Sequence, residues 1–152
     1  MRERLRIGGD GMKFLVVDDS VEDVAILRSA LTEAGPVEIT PVVNGHLALK
    51  LLSEAEQLVF DLIVIDWRLP GIAGDQVAAA FLNSPLVRTQ VPVVVLSSTL
   101  PPPICERLVE SGAVVLEKAV DLYGYECLAA LLIDLAKQSK EKQTIAAPSS
   151  IR

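Results

Sequence analysis

Leu62-Ile63-Val64-Ile65-Asp66-Trp67-Arg68-Leu69-Pro70-Gly71 decides how this chain is read. Four apolar residues run straight into a carboxylate, and Pro70-Gly71 then turns the chain. An unbroken run of Leu, Ile and Val reads as a strand buried on both faces, as in a parallel sheet. Asp66 stands where that strand ends. In open α/β sheets the ligand crevice lies outside the carboxyl ends of the strands. The stretch therefore predicts a single acid set at the working edge of a covered sheet.

The pattern repeats outward from there. Residues 13–17 form a first apolar strand ending in Asp18-Asp19-Ser20. Ser20 is a helix N-cap with Asp23 three positions on. The helix runs to about residue 34, with Val24, Leu27 and Leu31 on one face, and Gly35-Pro36 stops it. A second strand covers 37–43, and Pro41 inside it predicts an edge position. Asn44-Gly45 leads into a helix over 46–55. The third strand begins at Leu58 or Phe60 and ends at Ile65. Gly74-Asp75 opens a helix through 82. Residues 91–96 form a fully apolar fourth strand ending in Ser97-Ser98-Thr99. A helix after Pro101-Pro102-Pro103 reaches 111, and Gly112 closes it. Residues 113–116 form a short fifth strand ending in Glu117-Lys118, and a last helix covers 122–138.

Residues 1–11, charged and then Gly-rich, read as a flexible arm. The polar stretch 139–152 reads as a disordered tail. Strict alternation of five strands and five helices implies right-handed crossovers and a parallel α/β sheet covered on both faces. An eight-stranded closed barrel would need about 250 residues, so the form expected here is an open, doubly wound sheet.

Composition narrows the function classes. The 152 residues suit one domain, and 51% hydrophobic content suits a fully covered sheet. Aromatics make up only 4%, too few for a base-stacking surface. The net charge is −6 with no long basic block, which argues against direct nucleic-acid or anionic-membrane binding. Cys105 and Cys127 have no metal or redox spacing and read as reduced thiols, so a cytoplasmic location is expected. No apolar run approaches the roughly 18 residues of a membrane span, and the N-terminus has no secretory pattern.

The chemistry-bearing residues all fall at strand ends: Asp18 and Asp19 after the first, Asp66 at the third, Ser97 at the fourth, Lys118 at the fifth. The fold would gather them at one edge. Carboxylates gathered there repel one another, and a hard divalent cation is the usual relief. Mg²⁺ takes oxygen ligands, including one or two carboxylates and a phosphate. Acid, cation, lysine and hydroxyl together suit phosphoryl transfer onto a carboxylate, with Asp66 as nucleophile.

These motifs resemble the receiver domain of two-component response regulators. The resemblance covers about residues 12–138. It rests on Val16-Val17-Asp18-Asp19, Ile65-Asp66-Trp67-Arg68-Leu69-Pro70 with Gly74 downstream, Val95-Leu96-Ser97-Ser98, and Gly112-Ala113 followed by Lys118. It implies a flavodoxin-like doubly wound sheet of strand order 2-1-3-4-5. It implies Asp66 as phosphoacceptor, Asp19 as a direct Mg²⁺ ligand and Asp18 as a ligand directly or through water. The backbone carbonyl of Arg68 would be a further ligand. Ser97 and Lys118 would contact the phosphoryl group, and phosphorylation would bias a bistable loop–helix element.

The partners implied are a sensor histidine kinase or phosphotransfer protein and a downstream protein target. No activity is implied beyond self-catalysed phosphotransfer and dephosphorylation. The segment Val120-Asp121-Leu122-Tyr123-Gly124-Tyr125 is similar to stand-alone receivers that partner phytochrome-type and other sensor kinases, and no output domain is expected. Leu128, Leu131, Leu132 and Leu135, with alanines between them, give the last helix an apolar face wide enough to support a homodimer.

The sequence departs from the family at four places. Lys118 is followed by Ala119, where the family usually has proline after a cis bond; cis before a non-proline costs about 2.5–4 kcal/mol. The Gly112-to-Lys118 segment is one residue short. Val115 or Leu116 replaces the switch aromatic of the fifth strand. Pro101-Pro102-Pro103 restricts a segment that shifts on activation. These departures keep a pseudo-receiver, a binding module that docks partners without phosphorylation, as the alternative. A haloacid-dehalogenase-type phosphatase is disfavoured, because Arg68 occupies the place of its second acid. Ordinary readings stand beside the sharp ones: Asp66 as a turn cap, Ser97 as a helix cap, Lys118 as a solvated surface residue. Trp67 is read as packing beside the site, and His46, the sole histidine, is not a phosphodonor.

Overall fold

The computed structural model describes residues 11–87 and 91–151, with backbone alone from 141 onward. The arm expected over 1–11 thus lies outside the described residues except for Gly11. Five strands alternate with five helices: β1 Met12–Val17, α1 Val21–Ala34, β2 Val37–Val42, α2 Gly45–Glu54, β3 Leu62–Asp66, α3 Gly74–Leu82, β4 Val93–Ser97, α4 Pro102–Glu110, β5 Val114–Glu117 and α5 Leu122–Ile151. The strands form one parallel sheet in the order β2-β1-β3-β4-β5. This is the flavodoxin-like 2-1-3-4-5 order that the resemblance implied.

Alternation along the buried strands builds two cores. Phe14 and Val16, Leu62 and Val64, and Val94 and Leu96 face α1 and α5, meeting Leu27, Leu31, Leu128 and Leu132. Leu15 and Val17, Ile63 and Ile65, and Val93 and Val95 face the opposite layer, meeting Ala48, Val77, Phe81 and Leu108. Successive side chains of a strand point to opposite faces. A strand covered on both faces must therefore be apolar at every position, which is why β3 and β4 read as unbroken runs. The edge strand β2 carries Pro41, as expected, and remains half-exposed along much of its length.

The helix boundaries follow local chemistry. Ser20 Oγ accepts the amide of Asp23 at 3.1 Å, and Asn44 Oδ1 accepts that of Leu47 at 2.8 Å. Pro101 takes the N-cap position of α4, and Pro102 and Pro103 take its first two helical positions. There the missing amides cost nothing, because the first turn has no acceptor for them.

Two expectations are corrected. β3 begins at Leu62 instead of Leu58 or Phe60, because Asp61 ends the preceding loop: its amide donates to Lys13 O at 2.7 Å and its Oδ2 accepts the Lys13 amide at 2.9 Å. The tail expected to be disordered over 139–152 instead continues α5 as far as Ile151. Ser139 is buried, and Lys140 reaches Asp61 at 3.8 Å. Lys140-Glu141-Lys142-Gln143 are good helix formers, and the breaker Pro148 comes late. The apolar face of α5 is largely used by the core: Leu128, Ala129, Leu132 and Ala136 are buried and Leu135 packs against them, leaving Leu131 half-exposed.

Candidate functional site

Register gathers the site. Val17 pairs with Ile65, Asp66 with Leu96, and Ser97 with Glu117, so four strands end at one level. Asp18 follows Val17 and therefore comes out beside Asp66. Both carboxylates emerge on the α1/α5 side of the sheet, because Ile65 and Val17 point the other way. Oxygens of Asp18, Asp19 and Asp66 all lie within 4.8 Å of one another. Asp18 and Asp66 are buried, and Asp19 is exposed at the mouth.

Lys118 enters this cluster from the far end of β5. Its amide donates to Ser97 O at 3.1 Å, which ties the β5 end to β4. Its Nζ donates to Asp66 Oδ2 at 2.9 Å and lies 3.0 Å from Asp23 and 3.7 Å from Asp18. The Lys118-to-Asp66 contact is thus made although proline is absent after the lysine, and no described peptide bond is cis. The other Asp66 oxygen, Oδ1, accepts the Arg68 amide at 3.2 Å.

The electrostatics are those of an acidic excess. Burial pushes the Asp18 carboxyl up from 3.8 to about 6, the neighbouring Asp66 and Asp23 charges push the same way, and the Ser20 amide and Lys118 only partly oppose them. Lys118 is raised above the ordinary lysine range: burial works against its charge, but hydrogen bonds to Asp66 and Asp23 outweigh it. Among the described residues, one ammonium thus faces the cluster of Asp18, Asp19 and Asp66 and the nearby Asp23. The donor set is all oxygen, converging and short of positive charge, and this fits a small hard divalent cation.

The loop after Asp66 is held tightly. Trp67 N donates to Leu96 O at 2.9 Å, and Gly74 N donates to Trp67 O at 2.9 Å. Gly74 packs so closely under this turn that a Cβ would collide with the Asp66 carbonyl and Trp67 Cα. Gly71 has φ +82°, which glycine adopts without strain. Trp67 packs against the α2/α3 core with its indole N–H buried and unpaired, and His46 lies against Gly71, away from any catalytic contact.

The structure thus brings Asp18, Asp19, Asp66 and Lys118 together. Ser97 is level with them, but it continues the row of Val93 and Val95, and its Oγ accepts the Thr99 amide at 3.0 Å. Arg68 contributes its amide to Asp66. Asp23 is the residue that sequence reading missed. It looked like a capping partner of Ser20, yet its carboxylate lies on Lys118. Its position in the first turn of a helix that starts just after Asp19 was the available signal.

The description "Response regulator receiver domain" belongs to a family model that matches residues 14–123. Among curated proteins, the Arabidopsis thaliana two-component response regulators ARR7 and ARR3 are 32% identical over 137 residues and 30% identical over 115 residues. These matches cover 80% and 70% of this chain, which spans 66% and 49% of those two relatives. Among solved structures, the phosphorylated cyanobacterial phytochrome response regulator RcpA is similar at a TM-score of 0.69 and 25% identity, covering 78% of this chain and 89% of RcpA. The Mn²⁺-bound form of response regulator Rcp1 is similar in fold at a TM-score of 0.68 and 22% identity, covering 78% of this chain and 88% of Rcp1. With its strand order, its acidic edge and this match over most of its length, the chain belongs to the family of response regulator receiver domains.

Proposed function

We propose that Asp66 accepts a phosphoryl group from the phosphohistidine of a sensor kinase or phosphotransfer protein, in a Mg²⁺-dependent reaction. The observation that carries this reading is the setting of Asp66: a buried carboxylate, gripped by Lys118 at 2.9 Å, beside two more carboxylates at the open edge of the sheet. An Asp66 oxygen attacks phosphorus. The new P–O bond forms as the P–N bond breaks, and the imidazole leaves with the electron pair. Lys118 shifts from the carboxylate to the transferring oxygens and offsets their charge. Asp18, Asp19, Asp66 and the Arg68 carbonyl would hold Mg²⁺, which would supply the positive charge that this acidic cluster is short of. Ser97 releases the Thr99 amide and donates its hydroxyl to the phosphoryl group. Water later cleaves the acyl phosphate and restores Asp66. RcpA, similar over most of this chain, has been solved phosphorylated, which supports the reading.

The phosphoryl group adds charge and acceptor oxygens, and a downstream protein in the cytoplasm reads the change. Proline at the first two positions of α4 leaves that turn little freedom. The switch is therefore smaller than a full shift of α4, which backbone relaxation with and without a phosphoryl mimic will measure.

Incubation with phosphoramidate and Mg²⁺ tests the assignment. Intact mass should rise by one phosphoryl group in the wild type and stay unchanged in Asp66→Ala. No mass gain in a folded wild type would leave a pseudo-receiver that docks partners without phosphorylation.

A further inference from the structure

We propose that Asp23 is the positioning residue for Lys118, holding the ammonium at the mouth of the site where the phosphoryl group arrives. This rests on the phosphoacceptor reading of Asp66. The three carboxylates around the Lys118 ammonium differ in depth. The Asp66 and Asp18 side chains are 5% and 8% exposed, whereas Asp23 is 34% exposed. Asp23 lies 3.0 Å from Nζ, within 0.1 Å of the 2.9 Å to Asp66 and well inside the 3.7 Å of Asp18. The ammonium is thus shared between a deep acid and a rim acid.

A lysine side chain loses conformational freedom when it is fixed. Here Ala119 does not stiffen the backbone beyond Lys118, so a second carboxylate anchor carries that cost. Asp23 is itself braced. Its amide is capped by Ser20, and buried Tyr125 of α5 lies within its field, with the Tyr125 hydroxyl raised first by burial and then by Asp23. Without Asp23, the ammonium keeps one close anchor, Asp66 at 2.9 Å, and loses its hold at the rim. It then moves more freely and no longer waits in one place for the incoming oxygens.

Two measurements on the full chain test this. In metal-free protein, Asp23→Asn should raise the mobility of the Lys118 Cε group in side-chain NMR relaxation, a signature that a general loss of stability does not produce. In phosphorylation by phosphoramidate at saturating Mg²⁺, Asp23→Asn should lower the maximal rate roughly tenfold, the scale of a lost outer-shell partner. In the Lys118→Ala background the same substitution should cost nothing further, because Asp23 acts through the lysine. A Lys118 side chain as ordered as in the wild type, or an equal loss with and without Lys118, would overturn the assignment. A wild type that takes no phosphoryl group would overturn the reading of Asp66, and the NMR arm would still decide whether Asp23 positions Lys118.

Discussion

The β1–β3 pair carries an acid and a lysine at each of its two ends, and the two ends behave differently. At the amino end, Asp61 accepts the Lys13 amide at 2.9 Å and lies 3.8 Å from Lys140. One acid there meets a backbone donor and a cation, and it stays partly exposed. At the carboxyl end, Asp18 and Asp66 are buried beside Asp19 and Asp23, with Lys118 shared among them. The same residue types close a loop at one edge and leave an unmet demand for positive charge at the other. Charge left unbalanced in a folded protein costs stability, and that cost marks the carboxyl edge as the candidate functional site.

The contrast can be broken at several points. The largest effect is expected for Gly74→Ala. Its Cβ would strike the Asp66 carbonyl and Trp67 Cα, and backbone cannot yield as a flexible side chain would. A loss of about 4 kcal/mol is expected, above the usual overpacking range because the clash is with main chain; urea denaturation measures it.

Asp18→Asn should act in the opposite direction. The Asp18 proton is held with a pKa of about 6 in the folded chain against 3.8 unfolded. Ionised Asp18 therefore destabilises the metal-free fold above about pH 6, and that penalty fades as pH falls through 6 toward 3.8. The variant should gain about 2 kcal/mol at pH 8 without divalent cation, less than the full worth of a shift of roughly two pKa units because solvent at the mouth screens the charge. The gain should shrink toward zero near pH 4. Thermal melts across pH, with and without Mg²⁺, check both the sign and the window.

Lys118→Ala should remove the one cation that grips the buried Asp66 among the described residues. We expect a loss of about 2 kcal/mol in metal-free protein, below the fully buried range because Lys118 keeps some solvent. Added Mg²⁺ should restore most of it, and phosphorylation should still be slowed about 100-fold. At the amino edge, Asp61→Asn should cost no more than about 1 kcal/mol, vary little with pH or Mg²⁺, and leave phosphorylation unchanged.

The carboxyl edge was legible because parallel strands buried on both faces announce themselves. Leu62-Ile63-Val64-Ile65 and Val93-Val94-Val95-Leu96 admit little else, and acids at such strand tips must converge. The start of β3 was less legible, since Leu58 and Phe60 are as apolar as the strand; only the pairing of Asp61 with Lys13, distant in sequence, ends the loop. The reach of α5 was hidden by composition, because Ser and Pro near its end suggested disorder while the residues between them favour helix. Asp23 was hidden by a local motif. Its amide does cap with Ser20, and nothing local says that its carboxylate turns to a lysine brought in by β5.

The most direct test of the account is Trp67 fluorescence during titration with Mg²⁺ and then beryllofluoride. Trp67 adjoins Asp66 in the chain, and its indole packs against the α2/α3 core directly after the phosphoacceptor position. Saturable, Mg²⁺-dependent quenching that disappears in Asp66→Ala is predicted. A folded protein whose fluorescence ignores both ligands would contradict the claim that this edge is built to hold a cation and a phosphoryl group.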